Sequence, residues 1–218
     1  MIRWKEFLCA GVVLGALGIA GVAGEGADRK DLPKPKETAG KDLLEALRGR
    51  RSTRSFEAGK AIPDDILATV LWAADGVNRP NGKHTSPCAV GARYMRIYVC
   101  LASGAYRYDQ DAHALIEVSK DDLRPGIGRQ KFVADAPAVL VLASDLAVLK
   151  RFPLASRREM SHATAGCIAQ NVYLAAEAFG LGTVMAAGLK ADAARKGLAL
   201  AKDEVPLYIM PLGYPKAE

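Results

Sequence analysis

Three hydrophobic periods alternate along this chain, and each predicts an element. Leu43, Leu44 and Leu47 recur at helical spacing, so residues 41–50 read as a short helix that delivers Arg50 at its end. Pro63-Asp64-Asp65 opens a second helix, with a proline in the first turn and acids that favour the helix dipole. Its apolar face is Ile66, Leu67, Val70, Leu71 and Ala74, and Asp75-Gly76 ends it. Residues 94–101 alternate, Met95, Ile97, Val99 and Leu101 against Tyr94, Arg96, Tyr98 and Cys100, as in a half-buried strand. Ser103-Gly104-Ala105 turns that strand into a hairpin partner at 106–109, and 113–118 adds a short strand. Residues 128–134 fit a short helix. The unbroken apolar run 138–143 is a central strand. Residues 160–179 form the longest helical pattern, apolar nearly all round, which predicts burial on most faces and points to a second subunit. Gly180 caps it; a strand at 183–186, a helix at 192–200 and a strand at 207–212 follow. The mixed order is that of an α+β fold, a mainly antiparallel sheet with helices packed on it.

The first residues break this pattern. Arg3 and Lys5 precede an uncharged apolar stretch at 7–20, small residues and then Glu25, the layout of an export signal over residues 1–24. A cleaved signal and a retained membrane anchor both fit the run; once cleaved, the signal leaves no stable membrane insertion. Residues 25–39 hold prolines, lysines and acids with no apolar period and read as a flexible linker. Residues 40–218 form one domain. The location expected is exported, periplasmic or secreted.

A net charge of +6 suits an anionic ligand. Few aromatic residues lie among the basic ones, which argues against nucleic-acid partners. Cys88, Cys100 and Cys167 show no C-x-x-C spacing, so neither a disulfide framework nor a zinc site is expected. Cys100 and Cys167 read as buried thiols, and His113 and His162 as structural or surface residues. There is no Walker loop, no G-x-G-x-x-G after a strand and no G-x-S-x-G.

The chemistry concentrates in Arg50-Arg51-Ser52-Thr53-Arg54-Ser55-Phe56. Guanidinium forks match phosphate oxygens, and hydroxyls and turn N–H groups complete such a cradle. A solvated basic loop is the plain alternative. Lys216 is a further phosphate candidate from the other end of the chain. Asn78, Arg79, Lys83 and His84 lie in a loop rich in Asn, Gly and Pro, placed either to contact a ligand or to face water.

The arginine run is followed in order by Ser86-Pro87-Cys88-Ala89, a strand at 95–99, the segment Gly166-Cys167 through Gly182-Thr183, and Pro211-Leu212-Gly213-Tyr214-Pro215. From about residue 40 to its end the chain resembles the nitroreductase family of FMN-dependent oxidoreductases. It is most similar to the branch of the thiazoline and oxazoline dehydrogenases and many exported bacterial proteins. The resemblance implies a domain-exchanged homodimer with two flavin sites at the interface. It implies that Arg50 and Ser52 hold the FMN phosphate, with Arg51 between them, and that Arg54 is the catalytic, charge-stabilising residue at the ring's N1–O2 edge. Ser86, Pro87, Cys88, Ala89 and Gly91 would border the ring, with Cys88 where serine is usual and Gly91 where many members carry asparagine. The backbone at Met185-Ala186-Ala187-Gly188 would pass flavin N5; Ala187 stands where glutamate is frequent, and Ala187 and Gly188 are small enough for close approach. The implied activity is transfer of hydride or electrons from a donor such as NAD(P)H to an electron-poor small molecule of the nitroaromatic or quinone type, or a dehydrogenase reaction. A non-catalytic flavin carrier or sensor on the same scaffold is the alternative. A membrane-tethered basic domain is a third reading.

Overall fold

The computed structural model describes residues 28–217, so the expected export signal lies outside the described residues. Among the described residues, seven antiparallel strands form one sheet in the order β1-β4-β3-β2-β5-β7-β6. They are β1 (Arg29–Asp31), β2 (Met95–Leu101), β3 (Gly104–Asp109), β4 (Ala114–Ser119), β5 (Ala138–Asp145), β6 (Gly182–Thr183) and β7 (Glu204–Gly213). Six helices flank it: α1 (Leu43–Gly49), α2 (Asp64–Asp75), α3 (Arg124–Ile127), α4 (Phe132–Asp135), α5 (Leu154–Ala178) and α6 (Ala191–Gly197). The expected α+β architecture is present.

The continuous apolar run of β5 is explained by its place between β2 and β7. Its alternate residues face opposite layers, as strand geometry requires. Leu140 and Leu142 join Leu71, Ile97, Ile168, Val172 and Met210 under α2 and α5. Val139, Val141 and Ala143 join Tyr98, Cys100, Ile127, Val133 and Leu198 under α3, α4 and α6. The same covering corrects the expectation for β2. That strand is buried on both faces, and its polar groups are satisfied there: Tyr98 donates to Glu204 at 2.8 Å and Arg96 to Asp145 at 3.2 Å.

Three further expectations change. The short helix expected at 128–134 is two, α3 and α4. Residues 25–39 are not a free linker over their described part. β1 pairs with β4, Leu32 N–H bonds His113 O at 3.1 Å, and Lys30 and Lys36 pair with Asp64 and Asp65. These are backbone and surface-charge contacts, which leave no hydrophobic period to read. Finally, α5 starts earlier than its apolar pattern and buries one face, from Ser161 and Ala165 through Ile168 and Val172 to Ala176. Its other face is exposed, and Cys167 lies on it rather than in the core. The stripe of α1 also points outward: Leu43, Leu44 and Leu47 are 62%, 58% and 46% exposed, and Ala46 alone of that helix is buried. Among the described residues no helix is long and apolar enough to cross a membrane.

Candidate functional site

A capping box of Asp42 and Glu45 starts α1, and Arg50 ends it by donating its N–H to Ala46 O at 2.9 Å. The chain then runs extended along two other segments. Thr53 N–H bonds Thr183 O at 2.9 Å, Glu57 N–H bonds Tyr214 O at 2.9 Å, and Lys216 N–H bonds Ser55 O at 3.1 Å. This places Lys216 beside the arginine run. Arg51, Ser52, Thr53, Arg54, Ser55 and Lys216 line a shallow cavity of about 220 Å³ with no acidic residue in its wall. None of Arg50, Arg51, Arg54 or Lys216 forms an ion pair among the described residues. Arg50 is set apart from that wall. Its guanidinium lies 4.9 Å from the ring centroid of Tyr173, and its Nε is buried without a partner. Thr53 and Thr183 also carry buried, unpartnered hydroxyls. The unpaired cations and hydroxyl residues of that wall fit a phosphate monoester.

Tyr173 was not visible as a site residue in the sequence, because it sits inside a helical pattern and its partners are remote. From α5 its hydroxyl accepts the Met185 N–H at 2.9 Å and lies 3.3 Å from Ser52 Oγ. One side chain thus ties the arginine run to the segment that leads to Ala187 and Gly188. Tyr173→Phe should lower stability by about 1–3 kcal/mol, since it strands the Met185 N–H. Urea unfolding checks this, and an unchanged midpoint would show that the tie carries no weight. Beyond Met185, Ala187 is exposed. Gly188 is fixed by its carbonyl, which accepts from Arg129 N–H at 2.7 Å, and any side chain there would overlap the Gln130 amide. A larger residue at 188 would therefore have to displace the Gln130 side chain.

The Ser86–Gly91 segment is built around a buried acid at the end of α2. Ser86 Oγ donates to Asp75 Oδ1 at 2.5 Å, and Gln110 Nε2 donates to Asp75 Oδ2. The Ser86 hydroxyl therefore points inward, away from any ligand beside the loop. Burial raises the Asp75 pKa, with Ser86 donation and the His84 side chain opposing it. Asp75 had read as a helix terminator. His84 Nδ1 lies 2.6 Å from the Asp75 carbonyl, an acceptor only, so the proton sits on Nδ1. Ala89 N–H bonds Tyr94 Oη at 3.1 Å, which in turn lies 2.7 Å from Thr164 Oγ1. Val90 and Gly91 both have positive φ, 55° and 66°. Asparagine tolerates that region as glycine does, so the backbone at 91 would accept either. Cys88 is half-buried, and burial pushes its thiol upward, which disfavours a reactive thiolate.

Within one chain the candidate residues fall into separate places. Arg51, Ser52, Arg54 and Lys216 share one cavity, with Arg50 alongside. Ser86, Pro87, Cys88 and Gly91 share another, and Pro87, Cys88 and Ala89 also edge an apolar groove along α5 with Met160, Ala163 and Cys167. No residue is common to the first cavity and the other two.

Residues 47–214 match the sequence profile of the nitroreductase family. The chain belongs to the nitroreductase family. A provisionally named nitroreductase of Methanocaldococcus jannaschii is 31% identical over 182 residues, 78% of this chain and 90% of that protein. A solved structure from Ralstonia eutropha, also provisionally named a nitroreductase, is 35% identical with a TM-score of 0.82, covering 87% of this chain and 90% of that one. Nitroreductase A of Vibrio parahaemolyticus shares the fold at 22% identity, with a TM-score of 0.59 over 80% of this chain and 68% of its own. As a member of the family, the chain is a nitroreductase-like oxidoreductase.

Proposed function

We propose that this nitroreductase-family protein is an FMN-dependent oxidoreductase that works as a homodimer. The observation that carries the cofactor is the cradle of Arg51, Ser52, Arg54 and Lys216, free of acids and flanked by the orphaned Nε of Arg50. When bound, FMN supplies reversible hydride acceptance at its N5. The chain's residues then have separate tasks. Arg50, Arg51, Ser52 and Lys216 hold the phosphate. Arg54 supplies positive charge at the ring edge that becomes anionic on reduction. The Ala187–Gly188 backbone would pass along the ring of a bound FMN, and Pro87, Cys88, Ala89 and Gly91 would border it. Tyr173 keeps the phosphate and ring ends in register.

The dimer reading is supported by exposed apolar surface. Leu43, Leu44 and Leu47 on α1, Leu154 on α5 and the groove beside Cys167 leave an apolar face with nothing packed on it among the described residues. A domain-exchanged pair covers that face and brings the loop cavity of one subunit toward the cradle of its partner. The donor is NAD(P)H or another reductant, and the acceptor an electron-poor nitroaromatic or quinone. A dehydrogenase reaction, as in the thiazoline and oxazoline dehydrogenase branch, uses the same residues. Residues 1–24 serve as an export signal, which puts the rest of the chain in the periplasm or outside the cell.

The visible spectrum of the purified protein, with and without added FMN, tests this reading. Flavin bands that co-purify and bleach with a donor are expected. A colourless protein that takes up no FMN would end the proposal, and bound flavin that no donor bleaches would make the protein a carrier.

A further inference from the structure

A cavity of about 470 Å³ lies beneath the Ser86–Gly91 loop. That volume suits a small organic molecule. Its chemistry is asymmetric. Arg79, Lys83 and Arg93 line it, with His84 in the wall. The one acid in the wall, Asp75, has both oxygens engaged by Ser86 and Gln110. Asp111, outside the lining, pairs with Arg93 at 3.1 Å, so Arg79 and Lys83 remain as excess positive charge.

Two details show that these groups are set rather than merely exposed. Arg79 is fixed by its Nε on Asn78 Oδ1 and its Nη2 on His84 O, each at 3.0 Å, which leaves the rest of its fork free. His84 is held through Nδ1, its side chain is 4% exposed, and its Nε2 faces the Asp111 carboxylate 3.4 Å away. The remaining wall is apolar, from Pro87, Cys88, Tyr94 and Met95.

We infer that this cavity binds the anionic group of a small organic acid, so that the substrates of this oxidoreductase are carboxylates with an apolar body rather than neutral molecules. Arg79 and Lys83 meet the carboxylate, and the Pro87–Met95 wall takes the body. The inference rests on the oxidoreductase reading for the word substrate, but not for the binding.

Calorimetric titration of the full-length protein with 4-nitrobenzoate and with the neutral, similarly sized 4-nitrobenzamide tests it. The acid is expected to bind about tenfold tighter, the ratio of one charge-assisted contact. Arg79→Gln and Lys83→Gln should each remove most of that preference while leaving FMN uptake unchanged. Equal binding of the two compounds, or no binding of either, overturns the inference. So does a preference that survives both substitutions, which would place the anion at the arginine cradle instead. A protein that takes no FMN sinks the oxidoreductase reading alone, because the same titration on that flavin-free protein still decides the pocket.

Discussion

The double variant Arg50→Ala, Arg54→Ala is expected to fold and to lose FMN. Each arginine offers charge-assisted hydrogen bonds to an anion, worth roughly 1.5–3 kcal/mol apiece. Together they represent about 3–6 kcal/mol, or roughly a hundredfold to ten-thousandfold in affinity. The fold itself loses little. Arg54 is exposed, and Arg50 gives up a stacking contact on Tyr173 that is worth about 0.5–2 kcal/mol. Quenching of flavin fluorescence on titration reads the affinity, and a melting curve confirms the fold. Flavin affinity equal to that of the unaltered protein would remove the arginine run from the cofactor site.

Asp75→Ala should be the most damaging single change outside the hydrophobic layers. It strands the Ser86 hydroxyl and the Gln110 amide in a buried place and opens a small void. A loss of roughly 2–5 kcal/mol is expected in urea unfolding. Asp75→Asn keeps the shape, and Gln110 can turn its amide to present oxygen, so its loss should stay below about 1.5 kcal/mol. The native protein and Asp75→Asn also separate by pH. Burial holds the Asp75 pKa above its ordinary 3.8, so the folded state binds this proton more tightly than the unfolded state does. Stability from this group therefore rises as pH falls through the raised value toward 3.8, and is lost above it. The native protein should gain on Asp75→Asn as pH falls across that window. A constant difference between the two would mean that Asp75 is already ionised at little cost. Little loss in Asp75→Ala would mean that water replaces the carboxylate.

The architecture was readable where information is local. The apolar run of β5, the caps and face of α2 and the turn at Gly104 each follow from neighbours within a few residues. The failures share a cause, which is long-range pairing. Tyr98 and Arg96 look like a wet face of β2 until Glu204 and Asp145 are beside them. β1 is exposed throughout and held by its backbone, so no side-chain period announces it. The arginine run could be picked out by composition, but the position of Lys216 next to it comes from the pairing of Glu57 with Tyr214 and of Lys216 with Ser55. Asp75 and Tyr173 were invisible for the same reason. Their partners, Ser86 and Gln110 in one case, Ser52 and Met185 in the other, are brought near only by the folded sheet.

The strip that joins Ser55 and Glu57 to Tyr214 and Lys216 has a consequence in time. Synthesis delivers the arginines early and Lys216 late, with strands β2 to β7 made in between. A nascent chain that has not yet released β7 has its cations in the open and no floor beneath them. The wall of this cavity is therefore completed only after β7 has been made, and an anion bound there would report that the two remote segments have met.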